Sequence, residues 1–325
     1  MHSARPPRKQ DEFASPLNQN EAGVVVTQGN LTCTETDVSG MKALTWRARL
    51  LGALVVVSAT VAGALPANAA AGDTRCPSEA CQLVVHGLGE PLVAVPDGRG
   101  AVYLPYQTGE LRKADLATGA VTTVASGLGN LRSVVIDGAS AYVTSFDGTL
   151  QKIDVATGTH RTLASGLSPL FGVTRSSDST FVTDVRGQLL QVTDTGSAPR
   201  VVSSVIGFSA GVALDGAGNA YTADMMTARV QRTNLISGTT VTVSSEGYEP
   251  TSISVGADGG VYFSVGGEFR RLDPATGTVR RVTDIVGING SALTLDASGT
   301  AYATDFTSSG SVWRITGLTP VAPPA

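Results

Sequence analysis

A set of polar side chains that recurs about every 40 residues has the donor atoms of a metal site. Carboxylate and amide oxygens that converge from several loops are the ligands preferred by Ca²⁺ and other hard cations. The set predicts one divalent cation (Ca²⁺, Mg²⁺ or Zn²⁺), and the alternative is that the side chains are solvated or cap turns. The positions in this register are Glu90, Asn130, Pro169, Ser209, Glu249 and Asn289, and the predicted ligands are Glu90, Asn130, Glu249 and Asn289.

Aromatic and acidic side chains near turns offer a second kind of site, one that binds an organic ligand. Tyr106, Phe146 and Phe306 fall in predicted loops, where aromatic rings suit binding surfaces. Asp184 and Asp224 end predicted strands, where a carboxylate can also cap its own hairpin. Both interpretations stay open for each group, because aromatic rings also fill the gaps between structural units.

Histidine chemistry is limited to two candidates beyond residue 70. His86 lies four residues before Glu90 and is the candidate for a catalytic general acid or base, whereas His160 follows a turn and is expected to be solvated. The sequence holds no phosphate-binding loop and no His-Glu-x-x-His helix. Whether the protein is an enzyme is therefore left open.

Composition excludes some classes of protein. The chain has 325 residues, of which 42% are hydrophobic and 15% charged, so it is neither a disordered chain nor a polyelectrolyte. A formal net charge of −4 gives no electrostatic attraction for nucleic acid, and we expect no nucleic-acid partner.

The first 69 residues are predicted to lie outside the folded domain. Residues 1–40 show no apolar periodicity and are expected to be a disordered or non-native upstream extension. Residues 41–69 have the charged start, apolar stretch and small-residue end of a secretory signal peptide, with cleavage after Ala69. An uncleaved membrane anchor is the alternative. Cleavage predicts a secreted, extracellular protein with no membrane attachment.

The segment 70–81 contains two of the three cysteines. Cys76 and Cys81 are separated by four residues, and the Cys and His residues nearby are too few for a metal site. In an oxidising compartment this spacing favours a local disulfide bond.

A repeat of about 40 residues predicts the fold. Each unit has four short strands, which form a meander too small to bury its own faces. Six units packed radially bury those faces, so we predict an all-β, six-bladed β-propeller of four-stranded antiparallel blades over residues 82–318, with a disordered tail at 319–325. The repeat is marked by one aromatic residue per unit, Tyr103, Tyr142, Phe181, Tyr221, Tyr262 and Tyr302.

The two ends of the repeat region complete one another. The last unit has only three strands, predicted at 292–296, 301–304 and 311–315. The missing outer strand is found at the start, because residues 82–89 match the outer strand and loop at 121–129. The N-terminal strand should therefore close the last blade.

The units resemble those of the superfamily that contains NHL repeats, streptogramin lyases and gluconolactonase-like proteins. The resemblance is carried by the segments 259–264 and 271–279 and by the Thr-Asp pairs at 183–184 and 304–305. It implies a six-bladed propeller and is compatible with lactonases, lyases and binding domains. It also implies a Glu, Asn and Asp metal set at the channel mouth, which Glu90 and Asn289 match in part.

Alternation of strand direction assigns the connections to two faces. If the strands of a blade are lettered a to d from the inside, the d–a loops and b–c hairpins share one face, and the a–b and c–d turns share the other. The second face is expected to be structural, since its recurrent acidic and amide side chains cap turns. They are Asp115, Asp154, Asp194, Asn234 and Asp273.

Two functional hypotheses follow. The first is a secreted, monomeric binding module that recognises a small molecule, glycan or protein on the face with the d–a loops and b–c hairpins. The second is a metal-dependent hydrolase or lyase that acts on lactones or cyclic esters. In that case Glu90, Glu249 and Asn289 would hold the cation that polarises the carbonyl.

Overall fold

The chain divides into two units, residues 1–72 and 73–325. A computed structural model describes most of the second unit and three strands of the first. The three strands pair in chain order in one antiparallel sheet, which includes a hairpin that the sequence did not predict. The described residues are Gly23–Thr27, Asn30–Thr34, Thr45–Arg49, 80–245, 250–265, 268–284, 292–305 and 309–318.

Several predictions concern residues outside that description. The signal peptide is described only at the strand Thr45–Arg49, and its cleavage stays a prediction. Cys81 belongs to a disulfide bond. Its predicted partner, Cys76, lies outside the described residues, as do the metal-ligand candidates Glu249 and Asn289, the aromatic candidate Phe306 and the tail at 319–325.

Six four-stranded antiparallel sheets form the second unit, which confirms the predicted all-β, six-bladed propeller. Each blade follows the order a, b, c, d from the centre outward. The strands are Val95–Pro96, Ala101–Pro105, Leu111–Asp115 and Val121–Ala125 in blade 1; Leu131–Asp137, Ser140–Ser145, Leu150–Asp154 and His160–Ala164 in blade 2; Leu170–Ser176, Ser179–Asp184, Leu189–Thr193 and Arg200–Ser203 in blade 3; Ser209–Leu214, Asn219–Asp224, Arg229–Asn234 and Thr240–Ser244 in blade 4; Pro250–Val255, Val261–Val265, Glu268–Leu272 and Val279–Asp284 in blade 5; and Leu293–Leu295, Ala301–Asp305, Ser311–Ile315 and Cys81–His86 in blade 6.

The N-terminal strand closes the ring as predicted. Cys81–His86 pairs antiparallel with Ser311–Ile315, with His86 opposite Ser311 and Cys81 opposite Ile315. The a strands of successive blades contact one another all the way round, including blade 6 with blade 1. Val85 of the closing strand is only 2% exposed, because it packs into an apolar cluster shared by blades 6 and 1.

The recurrent aromatic residue lies at the centre of strand b. Whether it is tyrosine or phenylalanine correlates with the charge of the residue opposite it on strand c. Burial raises the pKa of Tyr142 and Tyr262, so their hydroxyl groups stay protonated and need polar partners. Where blade 3 has Phe181 instead of tyrosine, the opposite residue is the uncharged Gln191. In the other five blades it is a cation, in the pairs Tyr103–Lys113, Tyr142–Lys152, Tyr221–Arg232, Tyr262–Arg271 and Tyr302–Arg314.

Backbone hydrogen bonds show which connections share a face. On the first face, d–a loops donate to b–c hairpins, in the pairs Leu128–Gly109, Leu167–Gly148, Ile206–Gly187 and Leu88–Gly310. On the second, c–d turns donate to a–b turns, in the pairs Leu116–Gly100, Val155–Ala139, Asp194–Asp178 and Leu235–Gly218. We call these the loop face and the turn face. At Gly148 φ is +75° and a Cβ would lie 2.0 Å from the Leu167 carbonyl oxygen, so only glycine fits this contact.

The recurrent Asp and Asn side chains of the turn face cap turns in four of the five blades concerned. The Asp115 carboxylate accepts hydrogen bonds from the backbone N–H groups of Ala117 and Thr118 at 3.0 and 2.8 Å. These bonds lower the pKa of the Asp115 carboxyl. Asp154, Asn234 and Asp273 act in the same way. Asp194 differs, since its carboxylate bonds to side chains of blades 2 and 3.

Among the described residues, no helix has the length and apolar character needed to span a membrane.

Candidate functional site

A β-bulge redirects strand a of blades 2 and 3 where the channel opens on the loop face. In blade 2, Leu131 pairs with Ser145 and Ser133 pairs with Thr144, which leaves Arg132 as the extra residue. In blade 3, Phe171 and Gly172 together lie opposite Thr183 alone, which leaves one extra residue. A bulge bends its strand and turns side chains out of the regular alternation. The two bulges therefore present Arg132 and Phe171 next to each other.

Three phenylalanine rings from three blades form a row at this opening. Phe146 and Phe171 pack edge to face with ring centroids 5.8 Å apart, and Phe171 and Phe208 do so at 4.9 Å. All three rings are partly exposed. The edge-to-face geometry is favourable for aromatic pairs and fixes the rings relative to one another.

The guanidinium group of Arg132 lies against two of these rings. Its Cζ atom is 4.5 Å from the centroid of Phe146 and 5.6 Å from that of Phe171. Both distances are within the range of cation–π attraction. We call Arg132, Phe146, Phe171 and Phe208 the mouth cluster.

Close contact between the inner strands holds the cluster in place. A Cβ added at Gly172 would lie 2.8 Å from the Cα of Gly211, so the absence of a side chain lets blades 3 and 4 approach. The hydroxyl group of Thr144 donates to the Phe171 carbonyl at 2.5 Å, and that of Thr183 donates to the Ser209 carbonyl at 2.9 Å. Thr144 and Thr183 of strand b thus tie blade 2 to blade 3 and blade 3 to blade 4.

The side chain of Arg132 is buried, and two of its donor atoms lack an acceptor in the described part of the chain. It is 7% exposed, and neither its Nε nor its Nη2 atom has a partner among the described residues. Burial lowers the pKa of Arg132 to about 10, and the charge of Asp147 opposes this shift only in part. The group is therefore still charged at neutral pH. The Asp147 carboxylate is engaged by the backbone N–H of Asn130 at 2.7 Å.

The predicted binding residues Tyr106 and Phe146 occupy different environments. Tyr106 is 5% exposed, and its hydroxyl group donates to the Leu88 carbonyl at 2.9 Å, between blades 1 and 6. Tyr106 lies three residues after its blade's central tyrosine, whereas Phe146 lies four after Tyr142. Tyr106 is thus equivalent to Ser145, the buried last residue of strand b in blade 2, whereas Phe146 lies one position further along and is partly exposed.

Asp184 and Asp224 are buried at the ends of their b strands. The Asp184 carboxylate accepts hydrogen bonds from the backbone N–H groups of Arg186 and Gln188 at 3.0 and 2.8 Å. The Asp224 carboxylate accepts from the N–H of Met226 at 3.0 Å and from the Thr227 hydroxyl. This is the hairpin-capping geometry that the sequence analysis gave as the alternative to ligand binding.

The described members of the metal register lie at the entry to strand a. Glu90 is exposed. The side-chain oxygen of Asn130 is buried and has no hydrogen-bonding partner within the described part of the chain. In those same residues, no three His, Cys, Asp or Glu side chains converge as metal ligands. His86 and His160 are both exposed.

Arg132 and Phe171 are not among the site residues predicted from the sequence. Both lie two positions after the register that contains Asn130 and Pro169, so the repeat period already places them at equivalent points of strand a. Counting forward within that register would have found them. Their proximity depends on bulges, for which the sequence carries no clear signal.

Comparisons with known proteins support the architecture. The sequence matches no protein-family model, and no curated protein is significantly similar to it. The chain is similar to the structure of virginiamycin B lyase from Staphylococcus aureus, with a TM-score of 0.55 and 15% identity over 69% of this chain and 81% of that one. The likeness shows the fold.

Two further solved structures extend this result. One is a structural genomics protein of unknown function from Bacteroides thetaiotaomicron, with a TM-score of 0.59 and 14% identity over 74% of this chain and 71% of that one. The other comes from a nidogen/laminin complex, with a TM-score of 0.50 and 14% identity over 79% of this chain and 90% of that one. Similar propellers thus belong to proteins with different roles.

Proposed function

We propose that the protein is a secreted binding module that holds its ligand at the mouth cluster. The observation that carries the proposal is the row of partly exposed rings from three blades beside a buried arginine. Aromatic residues and arginine are the types enriched at binding surfaces. The predicted signal peptide supports export, and the propeller in the nidogen/laminin complex shows that a similar fold occurs in a protein complex.

The rings suit a ligand with a flat apolar part. Phe146, Phe171 and Phe208 are held by packing against one another, so binding costs little side-chain entropy. Small molecules, the apolar faces of sugars and aromatic side chains of a protein all present such a surface. The proposal therefore covers these three ligand classes.

Removing two rings is expected to weaken the binding of aromatic probes. In the Phe146→Ala/Phe208→Ala variant of the full chain, naphthalene-2-carboxamide and related fragments should lose at least about tenfold in affinity, because each lost ring contact contributes roughly 0.5–1.5 kcal/mol beyond area burial. The affinities are measured by ligand-observed NMR titration. Ile236→Ala is the matched control, since Ile236 is 90% exposed on the turn face.

Two results would contradict the proposed function. In the first, the fragments bind the double variant as well as they bind the unaltered chain. In the second, no fragment binds the unaltered chain, or Ile236→Ala reduces binding as much as the loop-face variant does.

A divalent cation at the predicted ligands is a second proposal for the same opening. The buried, unpartnered oxygen of Asn130 favours it, whereas the positive charge of Arg132, two residues along strand a, opposes a cation nearby. Metal analysis of protein purified without chelator tests it, with thermal melts in the presence and absence of EDTA. A stoichiometric metal and a melt lowered by EDTA would support the hydrolase or lyase hypothesis. Absence of both would contradict it.

A further inference from the structure

Arg132 differs from the other well-buried arginines that the structure describes. The side chain of Arg175 is 8% exposed and pairs with Asp137 at 2.7 Å and Asp194 at 2.9 Å. The side chain of Arg271 is 11% exposed and pairs with Asp258 at 2.8 Å. No ion pair of the described residues includes Arg132. A buried charge without a partner is costly, so its presence needs an explanation.

Cation–π attraction to Phe146 and Phe171 offsets part of this cost but leaves donors unused. The two rings attract the positive charge of the guanidinium group, but they offer no oxygen acceptor for its N–H groups. Nε and Nη2 have no acceptor in the described part of the chain, and the adjacent Asp147 carboxylate accepts its hydrogen bond from Asn130. Both donor atoms are fully buried, so a ligand supplies the missing acceptor by displacing the side chains that cover them.

We propose that Arg132 binds the carboxylate of a ligand whose flat apolar part rests on Phe146, Phe171 and Phe208. This inference rests on the proposed binding function and specifies its ligand class as aromatic or cyclic carboxylates. A guanidinium group matches the planar carboxylate with two parallel hydrogen bonds. One cation also matches one negative charge, whereas a phosphate would favour several cationic donors. The neighbouring rings exclude water and so strengthen the pairing.

Affinities for three probes test the ligand class on the full chain. The probes are naphthalene-2-carboxylate, the isosteric naphthalene-2-carboxamide and inorganic phosphate, measured by the same NMR titration. We expect the carboxylate to bind at least about tenfold more tightly than the carboxamide, since a charge-assisted pair is stronger than a neutral one. A carboxylate-to-carboxamide ratio near one, or phosphate binding without carboxylate binding, would overturn the inference.

Substitutions at Arg132 test the residue. Arg132→Met should reduce the carboxylate-to-carboxamide ratio to near one, and Arg132→Lys should leave an intermediate ratio because it keeps the charge but not the planar pair of donors. Arg186→Met is the matched control, since Arg186 is exposed on a b–c hairpin of the same face and should leave the ratio unchanged. An unchanged ratio in Arg132→Met would contradict the role of Arg132.

The melting temperature measured without ligand distinguishes a ligand-binding role of Arg132 from a structural role. If Arg132 serves ligand binding, Arg132→Met should raise the melting temperature by about 2–8 °C, because an apolar side chain of similar length removes an unpaired buried charge. A lower melting temperature would instead make Arg132 a structural residue and overturn the inference. The carboxamide affinity tests the binding function separately. If that affinity depends on Phe146 and Phe208 while Arg132→Met leaves the carboxylate-to-carboxamide ratio unchanged, the binding function stands and the carboxylate assignment fails.

Discussion

A chain that begins at Gly87 is expected to lose cooperative folding, whereas one that begins at Ala80 keeps it. The two chains differ by residues 80–86, which contain strand d of blade 6. Without that strand, Ser311–Ile315 becomes an exposed sheet edge. The apolar cluster that joins blades 6 and 1 also loses Val85.

The size of this effect follows from what the strand contributes. Burial of one valine side chain is worth about 1.5–3 kcal/mol. Each ladder hydrogen bond adds about 1 kcal/mol, and five residue pairs join this strand to its neighbour. Their sum is comparable to the whole stability of a typical domain, about 5–15 kcal/mol.

Thermal unfolding followed by circular dichroism measures the loss, with residues 80–325 as the control for residues 87–325. Within the full chain, Val85→Ala should destabilise by about 1–3 kcal/mol, whereas Leu83→Ala should have little effect because Leu83 is 41% exposed on the same strand. A cooperative melt of 87–325 at the temperature of the control would show that the ring does not need its closing strand.

The sequence determines the fold in this protein to an unusual extent because the unit is repeated. The period fixes the number of blades, and the match between residues 82–89 and 121–129 identifies the closing strand. Alternation of strand direction then separates the two faces, and the backbone hydrogen bonds confirm that assignment. Each of these predictions rests on several copies of the repeat, so an irregularity in one blade does not change the predicted fold.

The site is harder to predict because it depends on what differs between copies. Tyr106 and Phe146 are both aromatic residues near a b–c hairpin, yet a shift of one position buries the first and places the second at the opening. Arg132 looks like an ordinary strand residue in the sequence. That two of its donor atoms lack an acceptor among the described residues becomes evident only when the bulge and the contacts of neighbouring blades are known.

Blades 2 and 3 are joined on the turn face by a network centred on Asp194. Its carboxylate accepts hydrogen bonds from Arg175 at 2.9 and 3.1 Å, from Lys152 at 3.1 Å and from the Tyr142 hydroxyl at 3.0 Å. Lys152 and Tyr142 belong to blade 2, whereas Asp194 and Arg175 belong to blade 3. Arg175 also donates to Asp137 of blade 2 at 2.7 Å. This network replaces the turn-capping role of the equivalent residues in other blades.

Asp194→Ala is expected to destabilise the protein by about 2–4 kcal/mol. The substitution leaves the buried Arg175 with one carboxylate and removes an acceptor from Lys152 and Tyr142, and breaking a buried ion pair on one side typically costs about 3–5 kcal/mol. The remaining bond to Asp137 reduces that figure. Chemical denaturation measures the change. Asp178→Ala is the matched control, because Asp178 is an exposed acid in the adjacent turn and should change stability by less than about 0.5 kcal/mol.

Acid pH should remove the stability that Asp194 contributes relative to asparagine. Burial acts to raise the pKa of the Asp194 carboxyl, but hydrogen bonds from Arg175, Lys152 and Tyr142 outweigh it and hold the pKa below its ordinary value. A carboxyl with a lowered pKa stabilises the folded state fully above the unfolded pKa, about 3.9, and loses that contribution as pH falls through the folded pKa. The difference in unfolding free energy between the native chain and Asp194→Asn should therefore be constant from pH 7 to about 5 and shrink below about pH 4. A difference that stays the same down to pH 2 would mean that the Asp194 charge contributes nothing, and that the network stabilises the blades through packing alone.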